Sequence, residues 1–153
     1  RVTGYIQKGV DEGATALVGG PGAATGFDKG YFVRPTLFTN VDNKMTIAQE
    51  EIFGPVLSVI PADSEEHAID IANDTIYGLN NSVFTDDVDR AYEVARQLRS
   101  GTVGQNSFRT DFGIAFGGFK QSGIGREGGR DGLLPFLEAK TIILDGEPTQ
   151  THS

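Results

Sequence analysis

Three stretches of this sequence carry side chains that could do chemistry. The first is Gln49-Glu50-Glu51-Ile52-Phe53-Gly54-Pro55-Val56. A carboxylate can accept two hydrogen bonds from a ribose diol, and a ring can pack beside a flat heterocycle. The same residues also suit a solvated loop ahead of a buried strand, and on their own they leave the two readings level. The second is Phe108-Arg109-Thr110-Asp111-Phe112, straight after the strand-like run Thr102 to Asn106. Loops at the carboxyl ends of parallel strands are where α/β proteins gather binding residues. The plain alternative is a surface loop with an Arg109–Asp111 contact. The third is Phe116 to Gly129, FGGFKQSGIGREGG, in which six of fourteen residues are glycine.

That third stretch contains Gly123-x-Gly125-x-x-Gly128, the glycine spacing of a dinucleotide fingerprint. A working fingerprint follows a strand, opens a helix and has an acidic residue about 20 positions later. Asp145 lies near that distance, but the context is wrong. Ala115 to Ser122 does not read as a buried strand, and Gly128-Gly129-Arg130-Asp131-Gly132 is a poor helix start. Ile124 also stands where the lysine of a phosphate-binding loop would follow Gly123. Glycines permit positive φ and close backbone approach at an entropic cost, which a ligand or tight backbone packing must offset. Gly20-Pro21-Gly22 reads as a turn.

Composition narrows the field. The chain has 153 residues and a net charge of −8, which argues against a nucleic-acid surface. No apolar run reaches membrane-spanning length, so no membrane partner is expected. There is no cysteine, which removes disulfides, thiolate metal sites and a cysteine nucleophile from these residues. The only histidines, His67 and His152, are too few and too far apart for a zinc site, and no metal is expected. Ser-His-Asp chemistry lacks support for the same reason. The chain begins at Arg1 inside a helical pattern, and a truncated N-terminus is expected from that.

The elements that must position these groups alternate. Val2 to Glu12 reads as a helix closed by Gly13, Ala14 to Val18 as a strand, and Gly19 to Gly30 as a loop. Phe32 to Phe38 reads as a strand with Pro35 marking an edge, and Asn43 to Ile52 holds a helical turn. Val56 to Ile60 reads as a buried strand. Asp63 and Glu66 can form a capping box for a helix to about Asp74. Val83-Phe84 belongs to a strand. Thr85 or Asp86 caps a helix whose Val88, Ala91, Tyr92, Ala95 and Leu98 share one face, with Gly101 ending it. Thr102 to Asn106 is a strand, Leu133 to Glu138 a short helix, and Thr141 to Leu144 a last strand before a polar tail, Glu147 to Ser153. The alternation predicts an α/β fold of βαβ units with a largely parallel sheet.

In order and spacing, these segments resemble the C-terminal portion of the aldehyde dehydrogenase superfamily. The resemblance runs through Gly30-Tyr31-Phe32, Pro35-Thr36-Leu37-Phe38, Glu50-Glu51-Ile52-Phe53-Gly54-Pro55, Tyr77-Gly78-Leu79, Gly101-Thr102-Val103 and Phe116 to Glu127, ending at Lys140-Thr141. It implies oxidation of an aldehyde to a carboxylic acid with NAD or NADP. In that family a cysteine attacks the aldehyde, hydride passes to the nicotinamide, and a glutamate-activated water releases the acid.

By resemblance, Glu51 would hydrogen-bond the nicotinamide ribose, Phe53 would pack beside the nicotinamide, and Leu79 would line the same pocket. Phe116 would meet the aldehyde, with Phe108, Arg109 and Phe112 in a variable wall. Arg109 there would favour an acidic aldehyde. Ala115 stands where the family commonly has proline. The family's nucleophile and general base lie upstream of residue 1, so these residues are expected to be inactive alone, with no catalytic residue of their own and the upstream part of the enzyme as partner. Residues 1–140 would belong to the catalytic domain. Residues 141–153 would form an oligomerisation strand and tail in a cytoplasmic homo-oligomer, a dimer or tetramer. Two rivals are a non-catalytic assembly module and an independent dinucleotide-binding module.

Overall fold

The computed structural model describes residues 1–27, 29–107, 109 and 111–149. Phe108, Thr110, His152 and the end of the polar tail lie outside the described residues. The described chain is α/β, with its strands in two small sheets.

Helix α1 (Val2–Asp11) buries Ile6 and Gly9. At Gly9 a β-carbon would lie 2.9 Å from Ile47 Cδ1 and 3.1 Å from Phe38 Cζ, so the missing side chain is what lets the helix settle on the core. Gly13 then takes φ 99°, the left-handed exit anticipated from the sequence. Strand β1 (Thr15–Val18) runs antiparallel to β2 (Thr36–Thr39), and β2 runs parallel to β3 (Val56–Ser58). Between β2 and β3, α2 (Thr46–Gln49) is capped from a distance. Glu12 accepts from Thr46 N at 2.7 Å and from Thr46 Oγ1 at 2.6 Å. The Thr46 hydroxyl bond, reinforced by the Thr46 amide, holds the Glu12 carboxyl below its ordinary pKa. Ile6, Ala14, Phe38, Val41, Ile47 and Ile52 close the core of this half.

The second half is a βαβ unit. Helix α3 (Glu65–Asn73) leads to β4 (Asn80–Val83), and α4 (Val88–Gln97) leads to β5 (Thr102–Gln105), parallel to β4. Ile69, Val94 and Leu98 form its core with Val83 and Val103 against them. A 3-10 turn (Lys120–Ser122), helix α5 (Gly129–Leu133) and a second 3-10 turn (Leu134–Phe136) complete the described elements.

Several sequence expectations need correction. The strand expected over Phe32 to Phe38 begins only at Thr36. Pro35 has no N–H for the ladder, Arg34 turns aside to donate to Gly19 O, and Phe32 stacks on Phe27 at 4.0 Å. The β3 strand is not buried, since Leu57 is 63% exposed. Ser64, not Asp63, caps α3 by accepting from His67 N, and Asp87, not Thr85 or Asp86, caps α4 by accepting from Arg90 N. The buried stripe of α4 is Ala91, Val94 and Leu98, while Val88 and Tyr92 face outward. Phe84 lies beyond the end of β4. The short helix expected over Leu133 to Glu138 is a 3-10 turn, Leu134–Phe136, and the unexpected α5 precedes it, with Gly128 (φ 70°) as its N-cap, so the doubted run does open a helix. Thr141 to Leu144 is not a strand, and no strand among the described residues pairs with it.

Candidate functional site

Two cavities flank the segment between β4 and the glycine-rich loop. The first, about 300 Å³, is lined by Glu51, Tyr77, Leu79, Asn80, Asn81 and Ser122, among others. Both of the paired carboxylates line it, but they are held differently. Tyr5 Oη donates to Glu50 Oε2 at 2.7 Å, which raises the Tyr5 pKa and fixes Glu50 to α1. Arg1 Nη2 donates to the main-chain oxygen of Glu51 at 2.5 Å, pinning its backbone while its side chain stays exposed. Phe53 is held at φ 57°, unusual for a ring-bearing residue, and is 82% exposed. It follows Glu51 into the Gly54 turn, where a β-carbon would press on Val2 at 2.7 Å. Glu51 and Leu79 therefore share this cavity, and Phe53 stands outside it.

The second cavity, about 250 Å³, lies beyond β5. Arg109, Asp111, Phe112, Ile114, Phe116 and Glu127 line it. Asp111 Oδ1 accepts from Gly113 N at 2.7 Å, which turns the wall back on itself. Phe116 and Glu127 exchange two main-chain hydrogen bonds of 2.7 Å each, closing the base of the glycine-rich loop. Arg109 thus shares its cavity with two carboxylates, so charge gives no net preference for an acidic ligand. Phe108 falls outside the described residues.

The glycines of the third stretch are mostly sites of backbone-on-backbone contact. A β-carbon at Gly101 would overlap the Gly117 carbonyl, and one at Gly117 would overlap the Gly125 carbonyl. At Gly128 it would lie 2.6 Å from Ile114 O and 3.1 Å from Phe112 O. Gly123 and Gly125 meet nothing within 4 Å, but no strand precedes them, only the single Phe116–Glu127 bridge. The fingerprint lacks its strand, and packing explains the other glycines.

His67 uses Nδ1 to accept from Asp63 N at 3.2 Å in the first turn of α3. Among the described residues no group of three His, Asp or Glu side chains is arranged to hold a metal, and no helix is long and apolar enough to cross a membrane. Sequence reasoning missed Asn80, Asn81 and Ser122 in the first cavity and Ile114 and Glu127 in the second, whereas Asp111 falls in the stretch singled out as a wall. Asn80-Asn81 opens β4 at its amino end, opposite to the carboxyl ends where binding residues are sought in parallel sheets, so no local signal flagged it.

Comparison with known proteins agrees along the whole folded part. Residues 1–142 match the model of the aldehyde dehydrogenase family. A putative aldehyde dehydrogenase of Staphylococcus saprophyticus is 56% identical over 142 residues, covering 93% of this chain and 30% of that protein. The crystal structure of Mycobacterium tuberculosis aldehyde dehydrogenase complexed with NAD+ superposes with a TM-score of 0.93 at 53% identity, over 98% of this chain and 31% of that one. Aldehyde dehydrogenase C of Pseudomonas syringae, complexed with NAD+ and octanal, gives 0.91 at 43% identity, over 97% and 31%. The chain spans about 30% of the length of the relatives it matches.

Proposed function

The chain belongs to the aldehyde dehydrogenase family, and from that premise we propose that it forms part of an enzyme oxidising an aldehyde to a carboxylic acid with NAD. Bound NAD would supply the hydride acceptor. The residues around Glu51 fit its nicotinamide end: a carboxylate for a ribose diol, the Asn80 and Asn81 amides, and an apolar edge from Leu79. Phe53, exposed beside them, would pack against the nicotinamide once the cofactor is present. Phe116 and Phe112, with Arg109 and Phe108, would wall the aldehyde. The single observation that carries this reading is the sorting of the residues. Glu51 and Leu79 fall in one cavity, while Arg109, Phe112 and Phe116 fall in another.

These 153 residues hold no cysteine. The nucleophile and general base would come from an upstream part of the same enzyme, and this chain alone would not turn over aldehyde. Two solved relatives hold NAD+, which supports NAD as a cofactor, and NADP is the alternative to be tested beside it. The test is NADH formation by a full-length protein containing these residues, with NADP and short and long aldehydes run in parallel. Turnover by the full-length protein and none by this chain is the expected result. Turnover by this chain alone would sink the assignment of the nucleophile, and none by either would sink the function.

We also propose that Thr141 to Leu144 completes a sheet of a neighbouring subunit. Ile142, Ile143 and Leu144 are 70%, 89% and 60% exposed in the single chain. Uncovered apolar segments of this size mark association surfaces. An assembly module without catalysis remains distinguishable by the intact mass of the native polypeptide, which the enzyme reading expects to include a cysteine-bearing upstream segment.

A further inference from the structure

Between the two cavities the chain is tied by one side chain that the family assignment leaves without a task. Lys120 adopts φ 55°, a left-handed backbone that lysine rarely takes. Its part-buried Nζ donates to Asn73 O at 2.8 Å and Thr75 O at 3.1 Å, at the C-terminal end of α3, where a cation is favoured. Three more bonds fasten the same strip: Phe119 N to Gly78 O at 2.8 Å, Gln121 N to Ile76 O at 2.9 Å and Gly78 N to Ser122 Oγ at 3.0 Å.

The turn that Lys120 grips is itself a junction. Asn73 Oδ1 accepts from Arg99 N at 2.8 Å, which ties it to the approach to β5. Gln49 Nε2 donates to Asp74 O at 2.8 Å, which ties it to the segment carrying Glu51. Tyr77, Leu79 and Ser122 line the first cavity, and Phe116 lines the second only four residues before Lys120.

We infer that Lys120 is a positioning residue that sets the two cavities in register, so that its loss weakens cofactor and aldehyde binding together. The inference rests on the functional reading above. Lys120 touches neither ligand. It acts by holding the Asn73–Leu79 turn against the strip that carries Phe116.

The experiment measures steady-state kinetics of the full-length enzyme with Lys120→Met and Lys120→Arg. Hydrogen bonds to a charged group, lost together at a positioned site, predict about a tenfold rise in KM for NAD and for aldehyde. Because chemistry itself is untouched, kcat should stay within about threefold, and Lys120→Arg should restore both KM values to within about threefold. A residue needed only for folding would instead lower the amount of active enzyme at unchanged KM, and that outcome overturns the inference. So does a change confined to one ligand.

If Lys120→Met fails to fold, Ser122→Ala removes another link of the same clasp. It should raise aldehyde KM at the distant cavity about two- to threefold, and an unchanged aldehyde KM overturns the inference. A wild-type enzyme that neither binds NAD nor oxidises aldehydes would overturn the functional reading itself, and this inference with it.

Discussion

The half built around Phe38 and the run from Leu133 to Leu144 are both rich in aliphatic and aromatic residues, yet they end in opposite states. Phe38 and Ile6 are 0% and 1% exposed, whereas Phe136 and Ile143 are 85% and 89% exposed. The difference is the presence of a second layer. The α1 helix lies across the three-stranded sheet with Gly9 at the contact, and Glu12 reaches over to cap α2. Nothing among the described residues covers the later run. Apolar content creates a demand for burial, and only topology decides whether the same chain meets it.

That contrast can be broken most directly at Phe38. Phe38→Ala should cost about 3–5 kcal/mol of stability by urea unfolding, because the closed core cannot fill the cavity. A cost below about 1 kcal/mol would show that this half is not a packed core at all. Next is Gly101→Ala, whose new methyl would meet the rigid Gly117 carbonyl. Overpacking against backbone should cost about 1–3 kcal/mol in the same assay. A neutral result would mean that the glycine-rich loop is not seated on the strand. Asp87→Ala removes the cap of α4 and should cost about 1 kcal/mol, with the loss read by circular dichroism during unfolding.

Glu12 sharpens the comparison through pH. Its folded pKa is depressed, so its stabilisation is fully present above the unfolded carboxylate value of about 4.3 and fades as pH falls through the lower folded value. Glu12→Gln should flatten the acid side of the stability profile, and an unchanged slope would remove Glu12 as a contributor. Smallest for the single chain is Ile143→Ser, expected to change folding stability by less than about 0.5 kcal/mol. Its effect should appear instead as a smaller species in sedimentation. An unchanged oligomer would mean that the exposed run serves something other than association.

The sequence made α1 and β5 readable, with Gly13 stopping α1 as expected, but α4 ends at Gln97, short of Gly101, and turns Val88 and Tyr92 outward. It misplaced both helix caps, since Asp63 and Ser64, or Thr85, Asp86 and Asp87, are adjacent groups of equal chemistry and only the turn geometry chooses between them. It missed α5, because the glycines at 128 and 129 oppose helix by propensity while their positive φ values suit the entry turn. For the site, the loops were legible as blocks. Their grouping was not, because Glu51, Leu79 and Ser122 meet across long sequence separations. The division of labour between Glu50 and Glu51 depends on Tyr5, which no local pattern announces.

The contacts at Gly104 and Gly128 have a practical consequence. Gly104 lies under the Ser107 carbonyl, and Gly128 lies under those of Phe112 and Ile114. The described residues beside Arg109 are thus held at Ser107 and at Phe112 to Ile114 by glycines outside the wall, and Asp111 turns it from within. Those positions form a cassette. A library that randomises Arg109, Phe112 and Ile114 while leaving Asp111 and both glycines intact should yield folded variants, and under the proposed function the full-length versions should differ in aldehyde preference.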